Sequence, residues 1–179
     1  MKGGMRMNET DLQKAFDKIR NGDREAFTLL YSDLSKPIYT IICRIVQSKE
    51  TAEDITQDVF VKLFVSPPEP SVKNIRAWIF RMARNSAIDA LRRKRSTEDI
   101  DEMEAAGDDE LEPYIRKWDI EKAMSRLSCS EREIVSLHLN GELGFADIAK
   151  IVNQSLPSVY RTYRRALKTL REYLNGGSQ

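Results

Sequence analysis

Residues 74–95, NIRAWIFRMARNSAIDALRRKR, satisfy their apolar and polar groups together only as a two-sided helix. At about 100° per residue, Ile75, Ile79, Met82, Ala83, Ala87, Ala90 and Leu91 fall on one broad arc that has to face a core. On the opposite side Trp78, Arg81, Asn85 and Arg92 lie within about 60° of one another. One amphipathic helix cannot bury its own stripe, so the rest of the chain must provide partners of the same kind.

It does so in order. Residues 9–21 carry Leu12, Phe16 and Ile19 at helical spacing and stop near Asn21-Gly22. A second helix begins after Asp23, a suitable N-cap, and turns Ala26, Phe27, Leu30, Tyr31 and Leu34 inward. Pro37 is expected to open a third helix, with Ile38, Ile41, Ile42 and Ile45 inward to about Ser48. The fourth, from about Thr51 to Val65, places Ala52, Ile55, Val59, Phe60 and Leu63 on its core side. The loop SPPEPSVKN, residues 66–74, follows, and its prolines hold it extended.

After Arg95 the pattern breaks. Residues 96–113, STEDIDEMEAAGDDELEP, carry nine acids and no base and have no periodic apolar stripe, as expected of a flexible, self-repelling linker. Periodicity returns near Ile115, with Ile120, Ala123, Met124 and Leu127 inward. Ser130 to Glu133 reads as a capping box before Ile134, Val135 and Leu137, and Gly141 ends that helix. A short helix burying Ile148, Ala149 and Val152 leads through a tight connection at residues 153–156 into a long last helix begun by Pro157. Asn153 sits where the turn needs a left-handed residue, and Val159 is placed to anchor the last helix inward. The expected fold is all-α: a helical bundle over 9–95, an acidic linker over 96–113 and a helix-turn-helix domain over 114–175.

Charge narrows the partners. The chain's net charge of +1 is a sum of opposed blocks, because Arg76 to Arg95 and Pro157 to Leu174 are basic and the linker is acidic. Basic helices with an exposed indole and amide suit nucleic acid: Arg pairs with phosphate, Asn with a base edge, and Trp offers a stacking face. In the last helix Ser158, Tyr160, Arg161, Arg164 and Arg165 occupy the half that enters a major groove in helix-turn-helix proteins. The fourth helix presents a different surface, with Asp54, Gln57, Asp58, Val61 and Phe64 together on its outward side. Acids mixed with exposed apolar groups suit docking onto a protein, with apolar contacts for affinity and charges for register.

Other classes find little support. Cys43, Cys129 and His138 make neither a disulfide framework nor a convincing metal site, and no cofactor is expected. There is no phosphate-binding glycine loop and no carboxylate pair beside a histidine, so an enzyme acting on nucleic acid is disfavoured and no catalytic residue is expected. No run of about 18 apolar residues is present, so no membrane insertion is expected. The start, MKGGMRMNETDLQ, lacks an apolar signal core, which makes the cytoplasm the expected compartment.

Three stretches in this order carry a family resemblance: AEDITQDVFVKLF at 52–64, RAWIFRMARNSAIDALRRKR at 76–95, and LSCSEREIVSLHLNGELGFADIAKIVNQSLPSVYRTYRRALKTL at 127–170. Together they resemble an extracytoplasmic-function (ECF) sigma factor of bacterial RNA polymerase, over nearly the whole chain. The resemblance implies a transcription initiation factor that binds core RNA polymerase and promoter DNA, with an anti-sigma protein as regulator. It implies polymerase docking through Asp54, Gln57, Asp58, Val61 and Phe64. It also implies minus-ten recognition by Trp78, Arg81 and Asn85 with the 66–74 loop, where a base flipped from the non-template strand would sit. Arg92, Arg93, Lys94 and Arg95 would grip duplex phosphates, and Ser158, Tyr160, Arg161, Arg164 and Arg165 would read the minus-thirty-five element. The recognition helix departs from the family's usual Thr-Val-Lys-Ser-Arg opening, reading Ser158, Val159, Tyr160, Arg161, Thr162 after Pro157 in place of Gly. The alternative is an autonomous helix-turn-helix regulator, which leaves the outward face of the fourth helix without a purpose.

Overall fold

The computed structural model describes residues 6–97 and 115–176 and, among them, eight helices and no strand. The chain divides into two compact units between Thr97 and Glu98. The first holds α1 (Glu9–Arg20), α2 (Arg24–Val46), α3 (Lys49–Val65) and α4 (Ile75–Thr97). The second holds α5 (Ile115–Ser125), α6 (Cys129–Leu139), α7 (Phe145–Val152) and α8 (Leu156–Gly176). Residues 98–113 of the acidic stretch expected as a linker lie outside the described residues, and the helix before it continues to Thr97, past the expected end at Arg95.

In the first unit α2 is the central element and packs against α1, α3 and α4. It starts as its sequence implies, with the Asp23 side chain accepting from the Glu25 and Ala26 N–H groups at 2.9 and 3.0 Å. It does not stop at Pro37. The expected break into two helices is replaced by one continuous helix with Pro37 inside it. Leu30, Leu34, Ile38 and Ile42 are all fully buried at a spacing of four, so the apolar stripe runs unbroken across the proline. Burying each such side chain stabilises by about 1.5–3 kcal/mol, enough in sum to offset the roughly 3 kcal/mol that an interior proline costs.

Leu12, Phe16 and Ile19 of α1 and Ile55, Val59, Phe60 and Leu63 of α3 close the bundle as expected. Tyr31, expected inward, is exposed, although its ring still lies 4.6 Å from that of Phe60. On α4 the buried arc comprises Ile75, Arg76, Ile79, Phe80, Ala83 and Ala87, while Met82, Ala90 and Leu91 are only half-buried. The arc is thus rotated toward Phe80 relative to the expected stripe, on a helix that packs against α1, α2 and α3.

The second unit is built on α8, which contacts α5, α6 and α7. Met124, Leu127, Val135 and Ala166 form one core cluster, with Tyr163 and Leu170 packed against it. Ile120, expected inward, is 54% exposed. The capping box lies two residues before the expected one. Ser128 caps α6 and Glu131 closes the box, because Glu131 rather than Glu133 faces α8 and is paired there with Arg165. Gly141 follows the helix where the chain folds back: a Cβ there would meet the Leu137 carbonyl oxygen at 2.6 Å.

Candidate nucleic-acid interface

The two surfaces of the first unit are set by consecutive helices. Ser48 caps α3, accepting from the Thr51 N–H at 3.3 Å, and the buried Ala52–Leu63 stripe fixes the rotation of the helix. Asp54, Gln57, Asp58 and Val61 then stand exposed together. Phe64 is 46% exposed, with its ring edge against Phe27 at a centroid distance of 5.0 Å, so it both closes the core and shows a face to solvent. Val65, at 71% exposed, extends the same apolar surface. It was not among the expected docking residues, although its wheel position beside Val61 is a signal the sequence carries.

Across the proline loop, Asn74 starts α4 by accepting from the Ala77 N–H at 2.9 Å. Arg81 and Asn85 are exposed and Trp78 is half-buried, on the side opposite the buried arc. About 10 Å of helix separates Trp78 from Asn85. Arg92, Arg93 and Lys94 are exposed further along, Arg92 lying 3.9 Å from the exposed Asp89 carboxylate. Such a surface pair is worth little and leaves the guanidinium available to an outside phosphate. The backbone of Arg95 continues the helix.

Arg76 belongs to the same basic block in sequence and to a different job in the structure. Its guanidinium donates to the Met7 carbonyl and lies 3.5 Å from the Asp33 carboxylate, both side chains being almost buried. Arg76 and Phe80 stand one helical turn apart on the buried arc, which is the sequence signal that separates Arg76 from Arg81.

In the second unit α7 and α8 form the expected helix-turn-helix. Asn153 adopts φ 54° and ψ 50°, the left-handed conformation, and its N–H donates to the Ala149 carbonyl. The Ser155 hydroxyl accepts from the Ser158 N–H at 3.3 Å at the start of α8. Ala149 and Val159 are buried between the helices. Tyr160 is 48% exposed, Arg161, Arg164 and Arg165 are exposed, and Ser158 is half-buried with its hydroxyl on the Gln154 amide oxygen at 3.3 Å.

Two features here were not expected from sequence. Arg165 is engaged by Glu131 at 2.5 Å, which sets it apart from Arg161 and Arg164. An aromatic cluster also supports Tyr160 from behind: Phe145 meets Tyr160 edge-on at 5.5 Å, and His138 stacks on Phe145 at 4.6 Å. The His138 Nδ1 lies 2.9 Å from the Leu143 carbonyl. That oxygen can only accept, so Nδ1 carries the proton. The basic face runs on past Arg165 through the exposed Lys168 and Arg171.

Among the described residues no cluster of three or more His, Cys, Asp or Glu side chains could hold a metal ion. Nor is any described helix long and apolar enough to cross a membrane.

Comparison with known proteins finds a family match on each of the two units. The family description Sigma-70 region 2 covers residues 30–97, and Sigma-70, region 4 covers residues 117–170. The chain is 24% identical over 184 residues to the ECF RNA polymerase sigma factor SigW of Bacillus subtilis, covering 93% of this chain and 98% of that one. It is 28% identical over 166 residues to the RNA polymerase sigma factor CarQ of Myxococcus xanthus, covering 88% and 94%. The fold is shared with CnrH, solved in complex with the cytosolic domain of CnrY, at a TM-score of 0.63 and 18% identity over 94% of this chain and 99% of that one. It is also shared with the sigma factor RpoE of Bartonella quintana, solved with the anti-sigma factor NepR, at a TM-score of 0.66 and 21% identity over 83% and 96%. With both sigma-70 regions present in order, one on the four-helix unit and one on the helix-turn-helix, the chain belongs to the sigma-70 family, in its ECF group.

Proposed function

We propose that the protein is a transcription initiation factor that joins core RNA polymerase and directs it to promoters by reading a minus-ten and a minus-thirty-five element. The observation that carries this reading is the succession in the first unit of two unlike surfaces: an exposed acidic and apolar one on α3, then on α4 the exposed Arg81 and Asn85 beside the half-buried Trp78. An autonomous DNA-binding regulator has use for the second face and none for the first.

In this reading Asp54, Gln57, Asp58, Val61 and Phe64 dock on the polymerase, with Val65 widening the apolar contact. Trp78, Arg81 and Asn85, with the 66–74 loop, hold a base unstacked from the non-template strand. Extruding that base costs a few kcal/mol, which stacking on the indole and a hydrogen bond to the Asn85 amide offset. Arg92, Arg93, Lys94 and Arg95 bind adjacent duplex phosphates. Ser158, Tyr160, Arg161 and Arg164 meet the minus-thirty-five element in the major groove, and Arg165 stands at its edge. The protein itself performs no bond chemistry and works in the cytoplasm, where its template and polymerase are. An anti-sigma protein is its proposed regulator, supported by two fold neighbours solved with such partners or a partner's cytosolic domain.

Transcription in vitro with purified core polymerase on genomic fragments tests the reading. Promoter-dependent starts above core alone are expected. Their absence, under conditions where a control sigma factor works, would return the chain to the class of autonomous regulators.

A further inference from the structure

Helix α1 reaches both ends of the loop that precedes α4. At the far end, the Glu9 carboxylate accepts from the Ile75 N–H through Oε1 and from the Arg76 N–H, 3.4 Å away, through Oε2. These amides belong to the first turn of α4, where a helix has no internal acceptor for them, and a carboxylate there also suits the positive end of the helix dipole. At the near end, the Arg20 guanidinium donates to the Pro68 carbonyl, and Pro68 is buried.

Glu9 and Arg20 are the first and last residues of one helix. Its rise of 1.5 Å per residue therefore fixes their backbones about 16 Å apart. The helix is itself held at both termini. Asn8 and Asp11 form a reciprocal capping box at 3.0 and 3.1 Å, Asn21 caps the other end, and Leu12, Ala15, Phe16 and Ile19 are buried along its length. Residues 69–74 thus hang between two points on a rigid rod. Within the span the Val72 N–H donates to the Glu69 carbonyl at 3.0 Å.

We propose that α1 is a positioning brace for the base-capture pocket, with Glu9 and Arg20 as its two positioning residues. This rests on the reading above, in which the 66–74 loop and Trp78 to Asn85 hold an unstacked base. A pocket that must order its own loop on capture loses that ordering free energy from binding, whereas a loop already spaced by α1 does not. Neither residue touches the base; each acts through the backbone it holds.

The test uses holoenzyme on a promoter fragment carrying 2-aminopurine in the non-template strand beside the captured minus-ten base, where its fluorescence rises when that neighbour leaves the stack. The variants are Glu9→Ala, Glu9→Gln and Arg20→Ala, with Asn85→Ala as reference, all measured well below their melting temperatures. Glu9→Ala and Arg20→Ala are expected to slow the fluorescence rise roughly tenfold, the size of effect that losing a hydrogen bond to a charged group produces. Core affinity should stay at the wild-type level. Glu9→Gln should recover most of the rate, because its amide oxygen still accepts from the Ile75 N–H. A purely structural role would lower the melting temperature without changing that rate. If Glu9→Ala does not fold, Arg20→Ala decides, since Arg20 lies at the surface. Wild-type rates in both brace variants alongside a slow Asn85→Ala would overturn the brace and leave the pocket standing. A wild-type rate in Asn85→Ala would overturn the pocket reading and the brace together.

Discussion

Arg165 and Glu131 tie α8 to the first turn of α6, the guanidinium Nε donating to carboxylate Oε1 at 2.5 Å. The other carboxylate oxygen accepts from the Ser128 N–H at 3.0 Å and the Ser128 hydroxyl at 2.8 Å. Burial pushes the Glu131 carboxyl up, but the hydrogen bonds from Arg165 and Ser128 and the Arg165 charge outweigh it and hold the group below its ordinary value of 4.5. A carboxylate depressed on folding stabilises fully above its unfolded value, and that stabilisation is lost as pH falls through the lower folded value. Glu131→Gln should therefore lower the melting temperature of the second unit at neutral pH, by an amount equivalent to about 1–2 kcal/mol. The deficit should close as both proteins are taken below pH 4.5. Calorimetry across pH checks this, and a deficit that persists unchanged in acid would show that the carboxylate charge is not the stabilising group.

The same pair divides the basic residues of α8 into two kinds. A guanidinium already on a carboxylate releases fewer counterions when it meets phosphate. Arg161→Ala or Arg164→Ala should reduce the slope of log affinity against log salt for promoter binding by about 1 each. Arg165→Ala should reduce it by less and should lower the stability of the second unit as well. Salt titrations of holoenzyme binding give the slopes directly; equal slopes for all three would mean that Glu131 releases Arg165 on binding.

Arg76 invites the opposite experiment. Removing one member of a nearly buried ion pair leaves the other uncompensated and costs about 3–5 kcal/mol. Arg76→Ala should destabilise the first unit by that order, through the stranded Asp33, and leave the salt dependence of promoter binding as it was. The double variant Arg76→Met with Asp33→Leu should recover much of the loss. Denaturation of the three proteins measures the first effect, and salt titration the second.

How far these roles were legible in sequence depended on how local their causes are. The helix-turn-helix was legible because each of its signals sits at its own position: Asn153 in the left-handed turn, Ala149 at the close approach, Val159 as anchor. The exposed faces of α3 and α4 followed from periodicity alone. Pro37 misled because the continuous stripe Leu30, Leu34, Ile38, Ile42 outweighs the local cost of a proline, and only tertiary burial reveals that balance. Two overlapping capping-box strings, from Ser128 and from Ser130, are equivalent locally. The choice between them is made by Arg165, 34 residues away. Contacts such as Glu9 to Ile75 and Arg20 to Pro68, 66 and 48 residues apart, leave no local trace at all.

The face of α3 carries a charge prediction. Asp54 and Asp58 are exposed one turn apart beside Val61, so reversing both to Lys should leave the fold intact, as surface changes usually do within about 0.5 kcal/mol. Core polymerase affinity should fall, and the loss should shrink as salt is raised, since rim charges act largely through screened attraction. Unchanged affinity in low salt would remove these two carboxylates from the docking surface.

Asn85 is the sharpest test of α4. Its amide is exposed on the side opposite Ile79 and Ala83, which are fully buried, so Asn85→Ala should leave the packing of the first unit untouched and its melting temperature within a degree or two of wild type, as expected for a surface change of a few tenths of a kcal/mol. What it removes is the one neutral group on that stripe with both a donor and an acceptor, the combination that pairs with a base edge. Losing such a contact costs about 1–3 kcal/mol, or roughly 5- to 150-fold in the equilibrium for strand opening. Closed-complex formation and core binding should be unaffected, because neither requires an unstacked base. Permanganate reactivity of the melted thymines, read beside a core-binding titration of the same preparation, separates the two steps. Loss of core binding equal to the loss of opening would place Asn85 on the polymerase-facing side of the unit and move the base-reading role to its neighbours Trp78 and Arg81.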